Sequence, residues 1–360
     1  MTASAAATSI TDDPIEMLFE RGVTDGLPVV PPTRERVERM LAGAPERKRD
    51  ELIGTLGPCY GDATVEKIAI NAVMAGCKPE YFPVVLAGVE ALCDERFCTH
   101  GLSVTLLSGA PLAIINGPVR QRIGLNCGHN ALGHGFRANA TIGRALRLVI
   151  MNIGGARPHG ITKATMGHPG QYTFVAAEDE EASPWEPFHV ERGFQQQDSV
   201  ITLFPAICFQ QVVDFQSTTA EQLVASIGWT MAGGVWNHKD YPVLCDTVLV
   251  LSPEHAGTIA KDGWSKRDVR QFLYENIKRP ADELAPGKNG GGGLSTALLR
   301  SPRMQGVMVD GCVRKFRSPD SILIVVAGGS AGRISVVIPG WASGDFDAST
   351  PVSHPIRLSR

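Results

Sequence analysis

The chain lacks the features that mark several common classes of protein. It has no apolar run of about 18 residues, so no membrane span is expected. None of its eight cysteines is spaced Cys-x-x-Cys, which argues against a zinc ribbon and against a secreted disulfide framework. The net charge is only −3 and there is no extended Lys/Arg run. Nucleic acid is therefore not expected as the main partner.

The N-terminus also lacks the pattern of a signal peptide. Residues 1–11 are rich in Ala, Ser and Thr, but they contain neither a basic n-region nor an apolar h-region. We interpret residues 1–12 as a disordered tail and expect a cytoplasmic location.

What is present is the composition of a soluble globular protein. The 360 residues are 43% hydrophobic and 20% charged, enough for a substantial core in one large domain or two ordinary ones. The 39 glycines and 24 prolines indicate that much of the chain lies in turns and loops.

Capping residues followed by apolar residues on a three-to-four-residue period predict a series of helices. Several fall in the first 100 residues, whereas later helices alternate with strands. The expected helices begin at Asp13, Thr33, Asp62, Glu80, Thr141, Thr219, Ser252 and Ser265.

Three strand–turn–strand units, at residues 103–116, 200–213 and 322–338, predict hairpins with small-residue or Gly-rich connections. The sequence thus predicts an α+β or mixed α/β fold with a mixed or antiparallel sheet. We expect one compact unit, with two lobes as an alternative. Its parts are an N-terminal helical portion (13–100), an α/β catalytic portion (101–345) and a C-terminal surface tail (346–360).

The stretch from Asn126 to Gly155 is the main candidate for a functional site. Its first half is rich in glycine and in groups that bind ions or move protons, and its second half is an apolar helix. A polar glycine loop that leads into a buried helix lets backbone amides and side chains converge on a small anion. The expected substrate-binding residues here are Asn126, Arg137, Asn139 and Arg144.

The two arginines carry most of that prediction. A planar guanidinium can hold a carboxylate or phosphate through two parallel hydrogen bonds. The alternative is that Arg137 and Arg144 form salt bridges with the acidic run Glu178-Asp179-Glu180-Glu181.

Three residues of the same loop are candidates for catalysis. His129 or His134 could move a proton, and either could lower the pKa of Cys127 so that a thiolate nucleophile forms. Alternatively, Cys127 is a small buried hydrophobic residue and the histidines hydrogen-bond loop carbonyls.

A metal ion is a further alternative for His129 and His134. On a glycine loop both rings could turn to one ion. A third ligand would have to come from a distance, and the candidates are Glu178, Glu180, Glu181 and His255. No cofactor is predicted with confidence. The glycines at 290–293 and 328–332 match neither the Walker loop nor the dinucleotide fingerprint.

Two further pairs complete the candidate set. Glu180 and Glu181 lie near Trp185, and a loop that packs back on itself there would bury a carboxylate and raise its pKa into the general-base range. Glu254 and His255 follow the apolar strand 247–251, at the strand end where α/β enzymes bind ligands. The helix dipole is an equally good reason for Glu254.

Several runs resemble a bacterial family associated with UGSC-type (seleno)proteins. They are Thr24-Asp25-Gly26-Leu27-Pro28-Val29-Val30-Pro31-Pro32-Thr33, Ala63-Thr64-Val65-Glu66-Lys67-Ile68-Ala69, Arg137-Ala138-Asn139-Ala140-Thr141-Ile142-Gly143-Arg144-Ala145 and Glu180-Glu181-Ala182-Ser183-Pro184-Trp185. The motif Sec/Cys-Gly-Ser-Cys that names the group is absent. The resemblance therefore implies that any redox domain would be a separate partner protein.

Together these patterns favour an enzyme, a lyase or hydrolase, that acts on a small carboxylated or acyl substrate by general acid–base chemistry. His129, Arg137 and an acidic-run carboxylate should then share a pocket within about 10 Å, closed by the loop 290–293. The alternatives are a substrate-binding or scaffold subunit of a redox enzyme complex, and a metalloenzyme. A homo-oligomer is an alternative state of assembly.

Overall fold

A computed structural model describes residues 13–235, 245–287, 293–342 and 349–358. The expected N-terminal tail and residues 290–292 of the expected closing loop lie outside these ranges. The helices are α1 (Pro14–Glu20), α2 (Arg34–Leu41), α3 (Val65–Ala75), α4 (Phe82–Cys93), α5 (Thr99–Val104), α6 (Val119–Arg122), α7 (Arg137–Asn152), α8 (Phe188–Glu191), α9 (Ala220–Thr230), α10 (Pro253–Lys261), α11 (Lys266–Asn276), α12 (Thr296–Leu299) and α13 (Pro302–Gln305).

The strands within the described ranges are short. They are β1 (Leu52–Leu56), β2 (Gly61–Thr64), β3 (Ala110–Asn116), β4 (Val175–Ala177), β5 (Val200–Ala206), β6 (Gln210–Val213), β7 (Thr247–Leu251), β8 (Lys278–Pro280), β9 (Met308–Val309), β10 (Cys312–Arg314), β11 (Ile322–Val326), β12 (Ile334–Pro339) and β13 (Val352–Pro355). Helices and mixed sheets together confirm the predicted α+β class. Across these same ranges, no helix combines the length and apolar character that a membrane crossing requires.

Most of the capping predictions are confirmed. The side chains of Thr33, Thr219 and Ser252 each accept a hydrogen bond from a backbone amide in the first turn of the following helix. Ser265 forms a complete capping box with Asp268, which satisfies two amides that a helix end otherwise leaves unpaired. Asp62 is a wrong prediction, because it lies in β2, which pairs with β1.

Two four-stranded sheets form the centre of the molecule. The first sheet has the order β13-β5-β3-β4 and the second has the order β11-β7-β12-β6. Alternate residues of their strands point to opposite faces. Leu112 and Ile114 of β3, with Val248 and Val250 of β7, share a core between the two sheets.

The outer faces of the sheets are covered by helices, which gives four layers. Ala113 and Ile115 of β3 pack in a core with α2, α3, α4 and α7. Leu249 and Leu251 of β7 pack in another with α9, α10 and α11. The order of layers is helix, sheet, sheet, helix.

The hairpin predictions were wrong. Residues 103–107 include the end of α5 and no strand, β5 and β6 belong to different sheets, and β11 and β12 both pair with β7 instead of with each other. The C-terminal segment 346–360 contains a strand that the sequence did not predict, since β13 pairs with β5. Local alternation identifies strands but carries no information about which strand is the neighbour.

The two sheets have the same internal pattern. In each, two parallel strands are joined through helices, and a third strand runs antiparallel to the first of them. The registers also correspond. In the first sheet Pro111 of β3 lies opposite Pro205 of β5, and at the equivalent place in the second sheet Thr247 of β7 lies opposite Pro339 of β12. The fourth strand is exchanged: β6 follows β5 but joins the second sheet, and β13 follows β12 but joins the first. This exchange makes the two halves one folding unit.

The sheets are joined directly at two places. At one, Ala206 and Gly340 form an isolated bridge, and the amide of Ile207 donates to the carbonyl of Pro339 over 2.9 Å. At the other, the amide of Asp179 donates to the carbonyl of Val326 over 2.7 Å.

The second junction contains a buried carboxylate. Glu178, which follows β4, accepts hydrogen bonds from Asn116 Nδ2 at 2.6 Å and from the amide of Phe188 at 2.7 Å. Lys266 Nζ of α11 lies 3.7 Å from its Oε1 and is 97% buried. Burial raises the pKa of Glu178, while Lys266 and these hydrogen bonds oppose the shift.

Replacing Lys266 with Met should destabilise the fold by about 3–5 kcal/mol, because it leaves a buried carboxylate without its cation. Urea unfolding of the two proteins at neutral pH measures the difference. Lys261→Met, at an exposed position of α10, is the matched control and should unfold like the wild type. Equal stability of Lys266→Met and Lys261→Met would contradict this role for the junction.

Candidate functional site

In the structure the asparagines of the predicted loop hold the loop together. Asn139 Oδ1 accepts from the amide of Asn126 and Asn139 Nδ2 donates to the carbonyl of Asn126, both over 2.9 Å. The side chain of Asn126 in turn donates to the carbonyl of His129 and accepts from the amide of Gly128. These amides are therefore paired within the loop.

The two predicted anion-binding arginines are also occupied by protein acceptors. Arg137 donates through Nε and Nη2 to the carbonyl of Gly76, at 3.0 and 2.9 Å. Arg144 makes two hydrogen bonds of 2.8 Å to the carboxylate of Asp25 and further bonds to backbone carbonyls of residues 27 and 28. Both side chains bind other segments of the chain to α7. Among the described residues, neither contacts the acidic run 178–181.

A different arginine, Arg120, holds the acidic run. Its guanidinium lies 3.0 Å from Glu180 and makes two hydrogen bonds to Glu181, at 3.1 and 3.0 Å. Glu180 also accepts from the amide of Gly117 at 2.6 Å. The two predicted bases are thus paired with a buried cation that the sequence patterns did not single out.

Cys127 lies beside this group, in surroundings that disfavour a thiolate. Burial raises the pKa of its thiol, and the charges of Asp179 and Glu181 raise it further, while Arg120 opposes them. Its carbonyl accepts a hydrogen bond from the amide of Gly328 at 2.8 Å. A nucleophilic role needs the opposite shift.

The histidines of the loop are exposed. The ring of His129 lies against the backbone of Gly329, where an added Cβ would be 2.2 Å from Nδ1. His134 contributes its carbonyl to a bond with Asn130. Across the described parts of the chain, no group of three His, Cys, Asp or Glu side chains is placed to hold a metal ion.

Glu254 and His255 contact the start of β12 and the residues beside it. Glu254 accepts from the amide of Gly332 and lies 3.5 Å from Arg333. His255 is fully buried, with Nδ1 2.7 Å from the Ser335 hydroxyl and Nε2 3.2 Å from the carbonyl of Asp214. Burial lowers its pKa, and both ring nitrogens have protein partners.

A cavity with unpaired polar groups lies farther along α7. It has a volume of about 460 Å³ and is formed by the last turns of α7, by Asp25 and by the loop 156–172. We call it the Arg147 pocket. Its polar lining is Asp25, Arg147, Thr162, His168, Gln171 and Tyr172, and its apolar lining includes Met151, Ala156, Pro158, Met166 and Pro169. A mainly apolar cavity with a few convergent polar groups is typical of small-molecule sites.

Arg147 supplies the charge in this pocket. Its Nε donates to the carbonyl of Gln171 over 2.6 Å. Among the described residues, its two terminal nitrogens have no hydrogen-bond acceptor. Burial lowers the pKa of Arg147 to about 10, with Asp25 opposing the shift. The guanidinium is therefore cationic at neutral pH.

Two neutral groups of the pocket are also without partners. Thr162 Oγ1 and His168 Nε2 are buried, and neither has a hydrogen bond of good geometry within the described residues. His168 Nδ1 accepts from the amide of Gly170 over 3.1 Å, which caps the short helical turn at residues 169–171. Burial and the charge of Arg147 lower the pKa of His168, while the carbonyl of Ser108 opposes them.

A larger groove of about 790 Å³ lies beside Lys266, Glu191 and Arg270. Three of its charged side chains are paired with one another, since Arg270 makes two hydrogen bonds to Glu191 and Lys266 lies 3.3 Å from Glu191. The Arg147 pocket is smaller but keeps polar groups free for a ligand.

The Arg147 pocket lies on the helix that the sequence singled out, but farther along it than the predicted residues Arg137, Asn139 and Arg144. Arg147 lies within the predicted stretch, but Thr162 and His168 lie beyond it. The available signal was a histidine between glycine and proline, at residues 167–169, in a loop that follows an arginine-bearing helix.

Cys59, which is exposed, should react with iodoacetamide faster than Cys127. The thiolate is the form that reacts with iodoacetamide. The raised pKa of Cys127 keeps its thiolate fraction near pH 7 below the few per cent that is usual for a cysteine. Peptide mass spectrometry after brief labelling of the native protein measures both sites. Faster labelling of Cys127 would revive the nucleophile hypothesis.

His168 should make the fold less stable in acid. Because its pKa is lower in the folded state, the unfolded chain binds more protons, and the free energy of unfolding falls as pH drops below about 6.5. Urea unfolding over about pH 5 to 8 should show a weaker loss for His168→Asn than for the wild type. His134→Asn, at an exposed ring, is the control and should follow the wild type. Identical pH profiles for all three proteins would argue against a buried neutral His168.

Comparisons with known proteins add no family. No protein-family model matches the chain, and no curated protein is similar enough to count as a relative. The resemblance to the UGSC-type family stays a prediction that depends on the sequence runs quoted above.

Proposed function

We propose that the protein is an enzyme that acts on a small carboxylated or acyl substrate by general acid–base chemistry, and that the Arg147 pocket is its site. The observation that carries this proposal is the Arg147 guanidinium, whose terminal nitrogens have no acceptor among the described residues, at a cavity that Thr162 and His168 also line. Burying part of a guanidinium whose donors are not all paired carries a desolvation cost. An anion that entered the pocket would remove that cost.

The chemistry of the lining favours a carboxylate. The free edge of the Arg147 guanidinium can donate two parallel hydrogen bonds to its two oxygens. The apolar side of the cavity, which includes Met151 and Met166, suits a short carbon skeleton. Phosphate is a poorer fit, because Arg147 is the one cationic side chain in the described lining.

His168 is the group that would exchange a proton with the substrate. The side chain is half-buried, and its Nε2 is buried without a hydrogen bond of good geometry, although the backbone carbonyl of Ser108 acts to raise the pKa of the ring. Its lowered pKa keeps it neutral at physiological pH, where a neutral imidazole can donate or accept a proton. A lyase or hydrolase reaction, in which charge develops on a substrate oxygen, would use such a group.

A substrate-binding or scaffold subunit is the second candidate, and one surface favours it. Val213 is the last residue of β6, and Phe209 and Phe215 lie just before and just after that strand. Ile334 of β12 lies opposite Val213, and all four side chains are exposed. The exposed fractions of Phe209, Val213, Phe215 and Ile334 are 51%, 54%, 61% and 39%. Adjacent exposed apolar side chains of this kind are typical of protein–protein contacts. Turnover by the isolated chain would exclude this candidate.

Arg147→Met should weaken binding of butanoate about 10- to 100-fold, the value of a charge-assisted hydrogen-bonded contact. Titration calorimetry with butanoate and with its neutral amide measures the effect, and the wild type should prefer the acid. Arg34→Met, at a side chain that is 93% exposed, is the matched control and should bind like the wild type. Equal binding of acid and amide, or no effect of Arg147→Met, would sink the proposal. NMR of small carboxylates incubated with each protein then tests turnover.

A further inference from the structure

We infer that a small cleft at the start of α7 is a second anion site, which binds the phosphate group of a small soluble molecule. The cleft has a volume of about 220 Å³ and lies where α2, the end of α3 and the first residue of α7 meet. We call it the Arg137 cleft. Ten residues of α7 separate Arg137 from Arg147, which is about 15 Å along the helix axis. The inference therefore does not rest on the proposed function.

The lining of the Arg137 cleft has an excess of positive charge. Among the described residues that line it, four are cationic and none is acidic. The cationic residues are Arg36, Arg39, Lys78 and Arg137, and the remainder are Val30, Met40, Val73, Gly76, Cys77 and Pro79. Like charges that share one cleft repel one another, and an anion between them replaces that repulsion with attraction.

Two of the four cations are oriented by uncharged acceptors. Arg137 donates through Nε and Nη2 to the carbonyl of Gly76, at 3.0 and 2.9 Å. Arg36 donates through Nη1 to the carbonyl of Pro31 over 2.9 Å. Because a carbonyl carries no net charge, these bonds fix each guanidinium without neutralising it. Nη1 of Arg137 and Nη2 of Arg36 have no acceptor among the described residues, so each guanidinium keeps a donor for a ligand.

The other two cations have only weak partners. Arg39 lies 3.9 Å from Glu35, and Lys78 lies 3.9 Å from Glu80. All four of these side chains are exposed. Exposed ion pairs of this kind contribute little free energy, so Arg39 and Lys78 can turn to an anion in the cleft at small cost.

Helix α7 adds to the positive potential. The N-terminus of an α-helix carries a partial positive charge, which acidic side chains or a capping side chain commonly offset. The first turn of α7 contains no acidic residue, its first residue is Arg137, and its N-cap residue Phe136 makes no side-chain hydrogen bond. The helix dipole and the four cationic side chains thus have the same sign.

The charge and the arrangement of the donors favour phosphate over carboxylate. A phosphate monoester carries a charge of about −1.5 to −2 at pH 7 and has three terminal oxygens that point in different directions. Cations from α2, from the segment after α3 and from α7 can therefore each contact a different oxygen. A carboxylate has a single charge and two oxygens in one plane, which matches one guanidinium.

Titration calorimetry with inorganic phosphate, pyrophosphate and acetate tests the inference. The wild type should bind both phosphates at least about 10-fold more tightly than acetate. Arg39→Gln/Lys78→Gln removes two charges but neither of the carbonyl contacts, and it should weaken phosphate binding about 10-fold. Arg34→Gln is the matched control, because Arg34 is on the same helix, is 93% exposed and lies outside the lining. It should bind phosphate like the wild type.

Thermal unfolding separates a binding role of these charges from a structural one. Phosphate should raise the Tm of the wild type and of Arg34→Gln more than that of the double variant, because a ligand stabilises the state that binds it. Without phosphate the double variant should be at least as stable as the wild type, since it removes like charges. A lower Tm of the double variant without phosphate would assign Arg39 and Lys78 to the fold and overturn the inference.

Three results in the binding experiments would also overturn it. They are equal affinity for phosphate and acetate, unchanged phosphate binding by the double variant, and binding to vesicles of phosphatidylcholine and phosphatidate without binding to the free phosphates. The two pockets can fail separately. Arg147→Met should keep its phosphate binding, and the double variant should keep its butanoate binding.

Discussion

The fold depends on a carboxylate buried where the two sheets meet. Glu178 directly follows β4, in the first sheet, and accepts hydrogen bonds from Asn116 and from the amide of Phe188. Lys266 approaches it from α11, a helix that covers the second sheet. Apolar packing is not directional and can hold two sheets face to face in many orientations. A buried ion pair with defined hydrogen bonds allows few orientations. Here the pair joins chain segments far apart in sequence, so it links the two halves that the exchanged strands β6 and β13 already join.

Helix α7 has a comparable role for the N-terminal half. It carries three arginines, at positions 137, 144 and 147, and each makes different contacts. Arg137 binds the carbonyl that ends α3, and Arg144 binds Asp25 and the extended segment that follows. Among the described residues, the terminal nitrogens of Arg147 have no hydrogen-bond acceptor, and they lie at the cavity that the loop 156–172 helps to form. The first turns of α7 thus bind other segments of the chain, and its last turns line the candidate binding pocket.

The Arg147 pocket differs from the rest of the interior in the polar groups that lack protein partners there. Arg147, Thr162 and His168 are polar, and buried polar groups in folded proteins are nearly always paired. Thr162 Oγ1, His168 Nε2 and the terminal nitrogens of Arg147 have no protein partner of good geometry among the described residues, whereas both ring nitrogens of His255 do. The groove at Lys266 is larger, but its Lys266, Glu191 and Arg270 side chains are paired with one another.

The sequence by itself determined the elements whose signals are local. A threonine or serine cap and a three-to-four-residue apolar period act within one helix turn, so Thr33, Thr219, Ser252 and Ser265 were identified correctly. The continuous apolar runs of β7 and β11 likewise predicted strands, and both strands are buried. The α+β class follows from these elements alone.

Only the tertiary structure decided which strands pair and which charges remain free. Register and neighbour choice depend on contacts between distant segments, so β13 looked like a tail and β5 with β6 like a hairpin. The same holds for the arginines of α7. Identical side chains on one helix differ in function because Gly76 and Asp25 lie within reach of two of them, and no local pattern in the sequence shows which acceptor the fold will bring to each.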